Sequence, residues 1–199
     1  MLPIGTGIMT APSRSRRLSA ALVAAGAVLS LLFTLTGAAA ADAANTRDGA
    51  GFGKGRETGY PVPRFVSLKS DRARMRIGPS TDYAVKWVYT RRGMPMEITE
   101  EYGNWRRVRD SDGVTGWMSG ALLSGDRTAM IGPWLDEPVA LRRSASSGGG
   151  VAARLAPKVI MHVTRCDGRW CAVALRASGM EGYVEQASLW GVYPGERFE

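Results

Sequence analysis

The chain has 199 residues, with 26 Lys and Arg against 18 Asp and Glu, a formal net charge of +8 and a pI near 10.0. Two cysteines and one histidine exclude an elaborate metal site and a disulfide-dense scaffold, while permitting a single bridge in an oxidising compartment. The basic excess favours anionic partners without encoding one.

Arg14, Arg16 and Arg17 precede an apolar run from Leu18 to Leu35, and small residues then dominate through Ala38, Ala39, Ala40, Ala41 and Ala43. Residues 1–41 therefore read as a secretory signal peptide with A-x-A cleavage sites. The rival reading is an uncleaved anchor, because 18–41 is uncharged and long enough to cross a hydrocarbon core of about 30 Å. Cleavage would remove three arginines and leave a smaller positive excess. Residues 42–63 scatter Gly49, Gly51, Gly53, Gly55 and Gly59 among charges and end in Pro61 and Pro63. Such a stretch offers little apolar surface to offset chain entropy and predicts a flexible, disordered linker.

From Arg64 onward, short runs of Val, Ile, Met and Trp alternate with turn signals at Gly78-Pro79-Ser80, Arg92-Gly93, Tyr102-Gly103-Asn104 and Ser111-Asp112-Gly113. No helical period is sustained, so this part is all-β, with the turn spacing of small barrels or sandwiches. It is also duplicated. Gly103-Asn104-Trp105-Arg106-Arg107-Val108 returns as Gly168-Arg169-Trp170-Cys171-Ala172-Val173; Met75-Arg76 returns as Leu141-Arg142, and Gly116-Trp117-Met118 as Gly182-Tyr183-Val184. The offset is 65 or 66 throughout, which predicts two small domains with separate cores, at 64–127 and 128–194, and a tail at 195–199.

Alternation sets a register for the central hairpin. If Met94, Met96 and Ile98 share a core face with Val108, Ile98 lies opposite Val108, Glu100 lies opposite Arg106, and Glu101 to Trp105 form a five-residue turn. Trp105 and Trp170 then leave the core face and serve either as lids or as binding platforms. In the second copy the same register puts Arg165 opposite Cys171 and makes Cys166 and Cys171 diagonal neighbours, within reach of a disulfide. A redox pair, or a metal site completed by His162, is the alternative, but the spacing is not C-x-x-C and the ligand set is short.

His162 falls on a predicted strand with no partner placed for a triad or dyad, so no catalytic residue, cofactor or metal is expected and the chain does not read as an enzyme. Arg72, Arg74 and Arg76 share one strand face, and Arg91-Arg92, Arg106-Arg107 and Arg142-Arg143 add positive clusters. They predict either a solvated, edge-protecting face or a cationic groove for carboxylates and phosphates.

The run Ala73-Arg74-Met75-Arg76-Ile77-Gly78-Pro79-Ser80-Thr81-Asp82-Tyr83, followed by Gly93, Gly103-Asn104-Trp105-Arg106-Arg107-Val108 and Asp112-Gly113-Val114-Thr115-Gly116-Trp117-Met118, closely resembles the bacterial SH3-like domain. The second unit resembles it more loosely, without the Gly-Pro-Ser turn. Its ending, Leu189-Trp190-Gly191-Val192-Tyr193-Pro194, resembles the close of exported tandem SH3-like proteins. The resemblance implies two tandem small SH3-like β-barrels, acting as periplasmic or extracellular binding or targeting modules, frequently for peptidoglycan. The candidate ligand-binding residues are Tyr83, Trp87 and Tyr89, after the Gly-Pro-Ser turn, and Arg76 as a carboxylate contact. Core packing is the competing role for the aromatics. The expected partner is peptidoglycan, or alternatively an envelope protein that the chain serves as a structural or regulatory adaptor. Export argues against nucleic acid, and a membrane enters only if the signal segment stays uncleaved.

Overall fold

Two sets of buried side chains explain the two repeats. Met75, Met96, Ile98, Val108 and Met118 fill one core, and their counterparts Leu141, Met161, Val163, Val173 and Val184 fill the other. Each set comes from strands whose residues alternate between core and solvent, so the same positions close the same barrel twice. A computed structural model describes residues 52–199. The expected signal peptide, its anchor alternative and the first part of the linker lie outside the described residues.

A short hairpin, β1 (Gly53–Lys54) and β2 (Pro61–Val62), precedes the first barrel. That barrel comprises β3 (Arg64–Leu68), β4 (Ala73–Arg76), β5 (Val85–Tyr89), β6 (Pro95–Tyr102), β7 (Trp105–Arg109), β8 (Thr115–Ser119), a 3-10 turn and β9 (Leu123–Ser124). The second repeats it as β10 (Thr128–Ile131), β11 (Val139–Arg142), β12 (Val151–Leu155), β13 (Ile160–Asp167), β14 (Trp170–Ala174), β15 (Glu181–Glu185), another 3-10 turn and β16 (Leu189–Trp190), with β17 (Arg197–Phe198) added. Strand order is β5-β4-β8-β7-β6-β3-β9 in one sheet and β12-β11-β15-β14-β13-β10-β16 in the other. The orders match element for element, so the fold is two tandem all-β barrels.

The central hairpin departs from simple alternation. Ile98 does pair with Val108, but Thr99 is then bulged out, so Glu100 faces Arg107, Glu101 faces Arg106 and Tyr102 faces Trp105. The turn is thus two residues long rather than five, with Gly103 at φ 50°. The second copy does the same: after Val163 the register shifts, Arg165 faces Ala172, and Cys166 faces Cys171 directly rather than diagonally. The threonine hydroxyls stabilise both bulges, Thr99 donating to the Arg107 carbonyl at 3.4 Å and Thr164 to that of Ala172 at 3.3 Å.

Cys166 and Cys171 form a disulfide. The equivalent cross-strand pair in the first barrel is Glu101 and Arg106, an ion pair at 3.6 Å. Glu101 does more than meet Arg106. Its fully buried carboxylate accepts from the amides of Glu57 and Thr58, both at 2.9 Å, from the Thr58 hydroxyl at 2.7 Å and from Arg64 at 2.7 Å. These bonds hold the β1–β2 hairpin against the barrel, so residues 53–62, expected within a disordered linker, are structured. Composition argued for entropy; one buried acceptor supplies the enthalpy that opposes it.

The expected tail is also structured. Phe198 pairs with Cys166 and Arg197 with Asp167, adding β17 beside the tip of β13. Glu196 anchors the approach, accepting from Arg127 at 2.8 Å and from the Tyr193 amide at 2.9 Å.

The closing segment of the second barrel packs on the first. Trp190 Nε1 donates to the Pro95 carbonyl at 3.2 Å, and the Tyr193 hydroxyl donates to Glu97 at 3.0 Å, whose other oxygen accepts from Arg109 Nε at 2.7 Å. Phe65 lies edge-on to Trp190 at 5.1 Å and tilted against Tyr193 at 4.6 Å. Burial, and then the negative charge of Glu97, push the Tyr193 phenol up.

Burial alone would raise the pKa of Glu101, but bonds from the Thr58 hydroxyl, Arg64 and the Thr58 and Glu57 amides outweigh it and bring the carboxyl from 4.5 down to about 2. A carboxyl whose pKa falls on folding stabilises the fold above its unfolded value, and that contribution is lost as pH drops from 4.5 toward 2. Glu101→Gln is expected to destabilise the first barrel by about 2–4 kcal/mol, to speed amide exchange at Glu57 and Thr58, and to shrink the acid-induced loss of stability over that window, as read by denaturant melts. Replacing both cysteines by serine should cost about 2 kcal/mol in the chain-entropy account, measured the same way with and without reductant.

Candidate functional site

The strand pair β4–β5 and its connecting loop carry the residues singled out from sequence. Ile77 N donates to the Ala84 carbonyl at 3.1 Å and closes the loop, while the Ser80 hydroxyl donates to Asp82 at 2.9 Å inside it. The Tyr83 ring lies directly on Gly78: a Cβ there would sit 2.6 Å from the ring, so only glycine lets the aromatic fold down. Arg76 Nη1 donates to the Tyr83 carbonyl at 2.5 Å and ties the loop back to its strand.

Several apolar side chains of β5 and its loop stand open to solvent. Ile77 is 62% exposed, Trp87 54% and Tyr83 47%, with Val85 and Val88 at 42%. Strand β5 is a sheet edge, so its outer backbone and its side chains from Val85 to Val88 face solvent. Exposed Arg74 pairs with Val88 across the ladder, and Lys86 donates to the Thr115 carbonyl at 2.9 Å. An apolar surface edged by cations can receive a ligand with both hydrocarbon and anionic parts.

Tyr89 occupies a different place from Tyr83 and Trp87. Its ring packs against the first core and its hydroxyl donates to Asp110 at 2.8 Å. The other Asp110 oxygen accepts from the amides of Asp112 at 3.0 Å and Val114 at 2.8 Å, bracing the next turn. Burial, and then the bond and charge of Asp110, drive the Tyr89 phenol well above its usual range.

The arginines of the central hairpin are occupied. Arg106 meets Glu101, Arg107 meets Glu100 at 2.5 Å, and Arg109 meets Glu97. The bulge at Thr99 sets the Glu100–Arg107 and Glu101–Arg106 pairs, which unbulged alternation did not disclose, whereas Glu97 and Arg109 already lie opposite before it. Arg142 donates to the Gly149 carbonyl at 2.8 Å, holding the Gly-rich loop of the second barrel. His162 lies between Thr128 and Ala174 and accepts from Arg176 Nε. Among the described residues no group of three or more His, Cys, Asp or Glu side chains gathers as a metal would require. Trp105 is half-buried and Trp170 is 5% exposed.

Sequence reasoning missed a cavity in the second barrel, of about 510 Å3, lined by Arg165, Trp170, Tyr183, Arg197 and Phe198. Two of these residues belong to the segment expected to be a tail. No local pattern pointed to them.

The family model described as bacterial SH3 domain matches residues 69–125 and again 136–191. A search of curated proteins finds no match to this chain.

Tyr89→Phe is expected to lower stability by about 1 kcal/mol through loss of the Asp110 bond, with the exposed surface around Trp87 intact. Denaturant melts together with the Trp87 indole resonance would read both outcomes.

Proposed function

Because the chain belongs to the bacterial SH3 domain family, whose members are commonly binding modules, often for peptidoglycan, and generally non-catalytic, we propose that it is an exported binding module that recognises peptidoglycan in the cell envelope. The observation that carries this reading is the open apolar surface of Ile77, Tyr83, Val85 and Trp87 on the edge of the first barrel. Trp87 and Tyr83 supply rigid faces for the hydrocarbon parts of a peptidoglycan strand or stem. Arg74 and Lys86 supply positive charge for its carboxylates. Arg76 and Tyr89 complete the site from beneath, one tying down the loop and the other seating the strand.

An exported setting is supported by the disulfide, which persists in oxidising compartments and is rare in reducing ones. Among the described residues no helix is long and apolar enough to cross a membrane.

Retention of the protein on purified sacculi tests the reading. The expected outcome is binding at low salt that falls about tenfold or more on Trp87→Ala, with stability changed by only ~0.5 kcal/mol. Absence of retention at low salt overturns the peptidoglycan assignment, and capture of an envelope protein by the same face would replace it with the adaptor reading.

A further inference from the structure

The two barrels differ at one cross-strand position on the face of their long hairpins. In the first, Glu100 faces Arg107 and the two form an ion pair beside Trp117, which follows Arg107 across the next ladder. In the second, the same register places Arg165 opposite Ala172, beside Tyr183. The acid has become an arginine and the arginine an alanine. Arg165 thereby loses a cross-strand ion-pair partner, with Asp167 the acid near it, and space opens where a long side chain stood.

That space is the cavity of about 510 Å3, within the range of small-molecule sites. Trp170 and Phe198 give it apolar walls. Arg165 is positioned by Tyr183, its Nη2 donating to the phenol at 3.1 Å and its guanidinium centred 6.0 Å from the ring. Arg197 is brought in by backbone pairing of β17 with β13. Neither arginine belongs to an ion pair among the described residues, whereas Arg64, Arg106, Arg107 and Arg109 of the first barrel all do. Asp167, which also lines the cavity, has one oxygen committed to the amides of Arg169 at 2.8 Å and Trp170 at 2.7 Å.

We propose that this cavity is a second binding site, for the terminal carboxylate of a short peptide with small apolar side chains. The carboxylate stands between Arg165 and Arg197, over Ala172, in the space that Arg107 fills in the first barrel. Trp170 and Phe198 cover the apolar side chain. The free oxygen of Asp167, together with Glu199, accepts peptide N–H groups at the rim. The site is independent of the first-barrel surface around Trp87.

The test is titration of the purified protein with N-acetyl-Ala-Ala bearing a free C-terminus and with the corresponding C-terminal amide, followed by the Trp170 indole resonance. Saturable binding of the acid is expected, with the amide at least about tenfold weaker, because a charge-assisted fork is lost. Arg165→Gln and Arg197→Gln, both at exposed positions, should each weaken the acid about tenfold or more, and Trp87→Ala should leave it unchanged. Equal affinity for acid and amide, absence of saturable binding, or a loss caused by Trp87→Ala in place of the arginine variants would overturn the proposal. Sacculus retention through Trp87 would stand in any of those cases.

Discussion

The tip of each barrel's long hairpin is held by one cross-strand pair, and the two barrels meet that requirement with different chemistry. Glu101 and Arg106 do it with charge, Cys166 and Cys171 with a covalent bond. A buried carboxylate is costly unless nearly all its acceptor capacity is used. Glu101 satisfies that condition by recruiting Arg64 and a turn from outside the barrel. The disulfide needs no such company, since it buries no charge. This explains why the first barrel carries an extra hairpin upstream, while the second is free to place an ordinary strand, β17, beside its tip.

Both chain segments that flank the barrels are therefore organised by the same location in the fold. The hairpin of residues 53–62 docks on Glu101, and β17 docks on the backbone of Cys166 and Asp167. Between them, Trp190 and Tyr193 reach back to Pro95 and Glu97 on β6. A polar clasp with aromatic faces couples the end of the second repeat to the central hairpin of the first. Two binding surfaces carried on one such frame would reinforce each other on a polymeric ligand, because engagement of one raises the effective concentration of the other.

The bulge at Thr99 separates what was legible from what was not. Every core position up to it followed from alternation: Met96, Ile98 and Val108 are buried as the pattern requires. One unpaired residue then moves every later partner, turning Glu100 toward Arg107 and Glu101 toward Arg106. The disulfide could still be inferred, since neighbouring cysteines across a hairpin can bond in either register. The ion-pair series could not, and without it the arginines read equally as a solvated strand face or as a cationic groove. Of the candidate binding residues, Tyr83 and Trp87 are exposed, Arg76 ties down the loop and Tyr89 is bonded to Asp110; Trp87 and Tyr89 share a strand face, so a two-residue period cannot separate them.

Sequence by itself determined the all-β class, the duplication, the positions of both cores and the pairing of the two cysteines, because these depend on local alternation and on repetition along the chain. Tertiary structure alone decided that residues 53–54, 61–62 and 197–198 are strands, that Trp190 and Tyr193 clasp the first barrel, and that a cavity opens beside Arg165. Each of these depends on groups distant in sequence. The Thr58 amide has no partner until Glu101 is folded into place, and Arg197 has no neighbour until β13 presents its edge. Local composition measures the entropy that such segments lose on ordering, and the compensating contacts exist only in three dimensions.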